Sequence, residues 1–286
     1  MDIVNNFVGY YGQSINMETA HNYFSKIKPI DKPIFKNNIP SFCNKKDLCL
    51  SYSDGKNIKI YPIKVMNERR IIHDYLYDGD KSIQVSITYC PLTGSPVVYE
   101  GLWGFSGMLY NNNDVLYNTE NNEDLIVQII GTVVYGNKLG KCPPKWQMII
   151  TSLENIMNEQ SLILQGELGD EISYENDTYA LYKQIDRIDY PINKYSNKYH
   201  QKKIVYALDT IPMATQSNNN SFQQARLPSI LVISKKYKNK RISKNTKINF
   251  NDNTNSYILN NNDSFIIPMY WFASYAMYKN PSIIQV

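Results

Sequence analysis

The chain has 286 residues, 43% hydrophobic and 20% charged, the proportions of an ordinary globular protein able to bury one large core or two smaller ones. The formal charge is +4, but no acidic residue occurs between Thr210 and Asn251. A membrane span is excluded because the longest apolar-rich stretch, Phe265 to Tyr278, is too short and contains Pro268.

The elements are read in chain order. Residues 1–47 form a polar lead-in, broken by Pro29 and Pro33. From Leu48 the pattern turns strand-like: Leu48, Leu50 and Tyr52 alternate, Asp54-Gly55 makes a hairpin turn, and Ile58, Ile60 and Ile63 resume. Asn67 to Tyr77 is expected to form a short helix. Ile83, Val85, Ile87 and Tyr89 alternate on one face, the mark of a half-buried strand that ends at Cys90-Pro91. Further strands follow at 96–99, 107–110, 115–117 and 125–135. Trp146, Ile149, Ile150, Leu153, Ile156 and Met157 recur at helical spacing, which predicts a helix over 146–164. Residues 166–201 read as a tyrosine-rich connection.

Beyond this connection the chain echoes itself. Lys202 to Tyr206 matches Asn57 to Tyr61, and Ser229 to Val232 matches Ser82 to Val85, at offsets of about 145 residues. Trp146 onward and Trp271 to Lys279 would each close a half with a helix. The expected class is therefore α+β and β-rich. Two related sheet-plus-helix halves, 48–165 and a shorter 202–286, would follow the lead-in as an internal duplication.

Cys43, Cys49, Cys90 and Cys142 show no paired CxxC spacing, and the three histidines are scattered, which argues against a structural zinc site. No cofactor motif is present. A Cys43–Cys49 disulfide is open, but free thiols are the default. With no basic and apolar leader visible, an intracellular, reducing compartment is expected. Abundant Asn, Lys, Ile and Tyr, with 24 tyrosines, is what AT-rich codons encode. A protist, a low-GC bacterium or a large DNA virus would fit, and packaging in a virion is one expectation.

Two groups of residues carry candidate chemistry. The first centres on Cys90, a thiol at a strand end. A reactive cysteine needs a base or cation beside it. His73 is the candidate base, with Gln128 or Ser106 as polar orienters. The competing reading is a small buried residue, since free cysteine is among the most buried types. The second group is basic: Arg226, Lys235, Lys236, Lys238, Lys240, Arg241, Lys244 and Lys247 place +8 in residues 226–247. Such a patch binds a nucleic acid, another polyanion or an acidic partner, or is a solvated hairpin guarding an edge. Arg69 and Arg70 add a smaller cationic pair. Asn111-Asn112-Asn113-Asp114 offers oxygen ligands but lacks the EF-hand spacing, and a turn is favoured.

Ile87 to Ser95 (ITYCPLTGS) and Gly104 to Asn111 (GFSGMLYN) resemble successive blocks of an uncharacterised family, domain of unknown function 3179. Tyr61-Pro62, Gln128 with Gly131, Gly136 with Gly140, Trp271-Phe272-Ala273 and the segment Ile30 to Phe35 are similar to its remaining motifs. The resemblance implies a β-rich α+β protein and no particular activity. Family members carry a His-Glu pair after the Tyr-Pro segment, where this chain has Arg69-Arg70. The expected function is therefore a non-enzymatic structural or protein-interaction module, such as a virion or assembly component, with a protein partner or self-association. The alternative is a cysteine-dependent enzyme, a thiol transferase or acyl hydrolase using Cys90.

Overall fold

A computed structural model describes residues 27–54, 56–169, 172–190, 192–193 and 196–210. It also describes segments at 8–9, 229–232, 239–241, 247–251, 256–260, 264–277 and 282–285, with side chains described only within 27–207 and 266–277. The first elements are β1 (Val8–Gly9), β2 (Pro33–Lys36), β3 (Leu48–Ser53), β4 (Ile58–Pro62), α1 (Ile63–Arg69), β5 (Ile71–Asp78) and β6 (Lys81–Cys90). Next come β7 (Ser95–Glu100), β8 (Trp103–Tyr110), β9 (Asn113–Asn118), β10 (Leu125–Val127), β11 (Val133–Tyr135), β12 (Lys145–Trp146), β13 (Ile149–Ser152), α2 (Leu153–Ile156) and β14 (Ser161–Glu167). The remainder are α3 (Ala180–Gln184), β15 (Ile204–Thr210), β16 (Ser229–Val232), β17 (Asn239–Arg241), β18 (Lys247–Asn251), β19 (Ser256–Asn260), β20 (Ser264–Tyr270), α4 (Trp271–Met277) and β21 (Ser282–Gln285). The protein is thus α+β and strongly β-rich. No helix among the described residues is long and apolar enough to cross a membrane.

The strands form five sheets, ordered β1-β8-β9-β10-β11, β12-β7-β6-β5, β13-β3-β4-β14-β2, β20-β15-β16-β21 and β17-β18-β19. Most pairs are antiparallel; β14 runs parallel to β4, and β16 to β21. The sheet containing β6 is the middle layer. One face presents Val85, Ile87, Tyr89, Val98 and Ile72 to a core shared with Leu50, Tyr61 and Leu164. The other presents Ile71, Cys90, Val97 and Tyr99 to a second core. That second core also takes Phe105 and Val115 from the β8–β9 side, and Val205, Ile267, Trp271 and Phe272 from the C-terminal part. Because β6 is covered on both sides, Ser86, Thr88 and Cys90 are as buried as their apolar neighbours. The expected half-buried strand is buried on both faces over this stretch.

Several local expectations are corrected. Residues 146–164 do not form one helix; they supply β12, β13, the one-turn α2 and β14. Each strand joins a sheet: β12 and β13 form edges beside β7 and β3, and β14 sits between β4 and β2. Tertiary pairing outweighs the helical spacing, and the β-branched run Ile149-Ile150-Thr151 favours it. The short helix expected over 67–77 lies earlier, at α1, and Ile71 onward is strand. The duplication is not carried by the topology. β4 and β6 lie in different sheets, whereas their sequence counterparts β15 and β16 are neighbours in one sheet. Of the helix expected over 271–279, α4 covers 271–277, and 278–279 lie outside the described residues.

The turn joining β6 to β7 docks against the C-terminal part. Tyr270 N–H donates to the Thr93 carbonyl at 2.8 Å. Gly94, at φ +64°, would place a Cβ 2.8 Å from the Tyr270 ring. Gly94→Ala therefore meets both a backbone penalty and a clash. It should lower stability by about 2–4 kcal/mol, read as an earlier urea midpoint with an unchanged slope.

Candidate functional site

Three segments converge at the end of β6. Cys90 is its last residue and pairs with Ser95 at the start of β7. Opposite stands the β8–β9 hairpin, whose two turn residues, Asn111 (φ +49°) and Asn112 (φ +66°), adopt the left-handed conformation Asn tolerates. The third segment is the α1–β5 junction, where Arg70 N–H caps the helix by donating to the Met66 carbonyl at 2.9 Å. Arg70 itself is left-handed at φ +62° and 1% exposed. A bulky residue held in that conformation needs its surroundings to fix it.

Those surroundings are an ion pair. Arg70 Nη1 lies 3.3 Å from Asp114 Oδ2, and both side chains are nearly solvent-free. Arg70 Nη2 donates to the Tyr179 hydroxyl at 2.5 Å. The guanidinium also sits 5.5 Å from the Phe105 ring centroid and 5.3 Å from that of Tyr179, a cation held between aromatic rings.

Beside the pair lies a closed polar network. Gln128 Oε1 accepts from Ser95 Oγ at 2.8 Å and from Asn113 Nδ2 at 2.9 Å. Its Nε2 donates to Thr88 Oγ1 at 3.1 Å and to the Ser95 carbonyl at 2.9 Å. Asn113 Nδ2 also reaches Thr93 Oγ1 at 3.0 Å, and Asn113 Oδ1 accepts from Ile129 N–H at 2.8 Å. Every member is buried, so each group depends on its neighbours for hydrogen bonds. Asn112 continues the ties outward, exchanging hydrogen bonds with the backbone of Tyr190, and Asn111 bonds Ala276 of α4 and Asn193.

Cys90 Sγ is fully buried and directed at the Asn112 carbonyl 3.5 Å away. Burial pushes the thiol up to about 12, the Asp114 charge adds to this, and Arg70 opposes it. Cys90 is therefore a protonated thiol at neutral pH. Burial likewise raises the Asp114 carboxyl above the usual aspartate range, with Arg70 pulling it back.

The expected partners of Cys90 are distributed differently. His73 shares its face of the sheet but pairs with Ser86, four residues down β6, roughly 13 Å along the strand. Its ring is engaged at both nitrogens, with Asp31 Oδ1 at 2.7 Å and the Trp103 carbonyl at 2.9 Å. Ser106 sits at the irregularity in β8 and serves the backbone, donating to the Val115 carbonyl at 2.6 Å and accepting from Met108 N–H at 3.1 Å. Gln128 does come next to the Cys90 strand end, through Ser95. Arg69 Nε donates to the Tyr174 hydroxyl at 3.1 Å. Of the basic window, Lys240 and Arg241 lie on β17 and Lys247 on β18, while Arg226, Lys235, Lys236, Lys238 and Lys244 fall outside the described residues. Cys43 and Cys49 are free thiols, buried, and pushed up to about 12 by that burial.

Sequence reasoning missed the pairing of Arg70 with Asp114 and the roles of Asn113, Thr93, Ser95 and Thr88. One signal was present: polar residues alternate with apolar ones along Val85 to Cys90, so a buried apolar face implies a polar face that also needs a partner.

Two outcomes follow from this geometry. Arg70→Met leaves the Asp114 carboxylate buried without its counter-ion and should cost about 3–5 kcal/mol. The double variant Arg70→Met/Asp114→Leu should recover most of that loss in urea titrations. Raised thiol values favour the protonated form in the folded state. Their stabilisation is complete below pH 9 and is lost as pH rises towards 12. Alkaline unfolding should begin above pH 9, and Cys90→Ala should weaken its pH dependence.

No curated protein and no solved structure matches the chain. A family model does match, over residues 25–267, a span that includes Cys90, the Asn111–Asp114 turn and Gln128. The chain belongs to the family described as protein of unknown function DUF3179.

Proposed function

We propose that this chain is a non-enzymatic protein-interaction module whose centre is a structural polar core and not a reaction site. The burial of Cys90 carries this reading. Its thiol is 0% exposed and is held protonated, because burial and the Asp114 carboxylate outweigh the opposing Arg70 guanidinium. A nucleophilic cysteine needs partial exposure and surroundings whose net effect lowers its value. Among the described residues, the surrounding hydroxyls and amides are committed to one another. The basic stretch 226–247 is the natural contact surface, since the rest of the chain carries net negative charge.

Alkylation of the full chain tests this. Cys142 is exposed and serves as an internal control, whereas Cys43, Cys49 and Cys90 are buried. Under native conditions at pH 7, iodoacetamide should modify Cys142 while Cys90 remains protected until urea unfolds the chain. Rapid native modification of Cys90, with a midpoint below that of an ordinary thiol, would establish the cysteine-enzyme alternative instead. In a separate experiment, glutamates at Lys235, Lys236, Lys238 and Lys240 should abolish self-association or cross-linking to a partner. An unchanged profile would remove that stretch as the contact surface.

A further inference from the structure

His73 sits where three segments meet. Its Nδ1 lies 2.7 Å from Asp31 Oδ1, and its Nε2 lies 2.9 Å from the Trp103 carbonyl oxygen. Both partners are acceptors, since an ionised carboxylate and a main-chain carbonyl have no proton to give. A neutral imidazole carries one N–H, so it donates to one of them and turns a lone pair towards the other oxygen. The imidazolium donates to both. We propose that His73 is a proton-operated latch: as a cation it ties the segment before β2 to β5 and to the start of β8, and loss of a proton opens one of the two ties.

The latched segment closes a core. Ile30 forms a parallel bridge to Ile72. Its N–H donates to the Ile71 carbonyl at 3.0 Å, and its carbonyl accepts from His73 N–H at 2.9 Å. The Ile30 side chain is fully buried and packs with Leu50, Tyr61 and Ile72. The next residue, Asp31, has a side chain 69% exposed, against 9% for His73, so the proton exchanges with water on the carboxylate side. The charged and titratable surroundings are few among the described residues. Glu167 of β14 accepts from the Asp31 and Lys32 N–H groups at 3.1 and 3.0 Å, which fixes the backbone and leaves the Asp31 carboxylate to His73. Asp74 is on the opposite face of the sheet, bonded by Lys59 and Tyr61. Burial and then the Asp31 charge push the Tyr117 phenol of β9 up, so it stays neutral. From β6 the neighbour is the uncharged Ser86, whose hydroxyl donates to the Gly101 carbonyl. No other described basic side chain pairs with Asp31.

The latch holds on the acidic side and loosens as the ring loses its proton, in the range of about pH 5 to pH 8 where histidines change charge. Nitrogen NMR of the full chain, labelled at the histidine ring nitrogens and assigned with His73→Gln, counts the protons. Both ring nitrogens of His73 should be protonated at the acidic end of that range and one at the alkaline end. Amide exchange, corrected for its intrinsic pH dependence, should show protection of Ile30 and His73 falling about tenfold over the same interval. Asp31→Asn decides the cause. Its amide nitrogen can donate to a neutral His73, whose other nitrogen still donates to the Trp103 carbonyl, so every contact survives without the extra proton. This variant should stay protected and lose the pH dependence, whereas Asp31→Ala should be pH-independent at the unlatched level. The proposal is overturned if one ring nitrogen of His73 lacks its proton at the acidic end, if protection in the parent does not vary with pH, or if Asp31→Asn varies as the parent does. None of these readouts senses Cys90, so failure of the latch leaves the structural role of the thiol standing.

Discussion

The buried pair of Arg70 and Asp114 is the contact on which the arrangement of this fold turns. It joins the end of α1 to the β8–β9 hairpin across the face of the middle sheet, and through Tyr179 it draws in the segment before α3. Two charges out of water contribute little net stability by themselves, because desolvation offsets most of their attraction. Their value is in position. Any packing that separates them strands a charge in the core, so compact alternatives that misplace the hairpin are strongly disfavoured.

The same logic extends through the polar face of β6. Thr88, Ser95, Asn113, Gln128 and Thr93 satisfy one another in a space that leucines and valines fill elsewhere. Hydrogen bonds are directional where apolar contacts are not. A sheet enclosed between two cores could slide on a purely greasy surface. Here the network sets its register against β9 and the Gln128 segment, and Asn111 and Asn112 carry the constraint out to Tyr190 and α4. The hairpin tip and the C-terminal helix thus share one framework.

Arg69 and Arg70 are adjacent in the sequence, and the second faces Asp114. A glutamate in that place would set two buried carboxylates together, which would have to share a proton. Arg70 and Asp114 therefore belong together, and the interior they create holds Cys90 as a neutral, packed thiol. The first arginine is only half-buried. Adjacent cations in the sequence thus have separate surroundings, Arg70 buried against Asp114 and Arg69 anchored on the Tyr174 hydroxyl.

The sequence by itself determined the β-rich class, the strand ending at Cys90, the hairpin turns at Asp54 and Asn111 to Asn113, the C-terminal helix and the family. These depend on nearest neighbours: alternation of side chains, β-branching, and residues that accept left-handed backbone. Tertiary structure alone decided that residues 146–164 would supply strands around a one-turn helix, because pairing with β3, β4 and β7 outweighs the weak intrinsic preference of a short segment for one long helix. It also decided that His73 would lie far down the strand from Cys90, with Arg70 close by in its place. Sequence spacing cannot reveal which strand covers which, and the chemistry of a buried thiol depends on the charges that pairing brings against it.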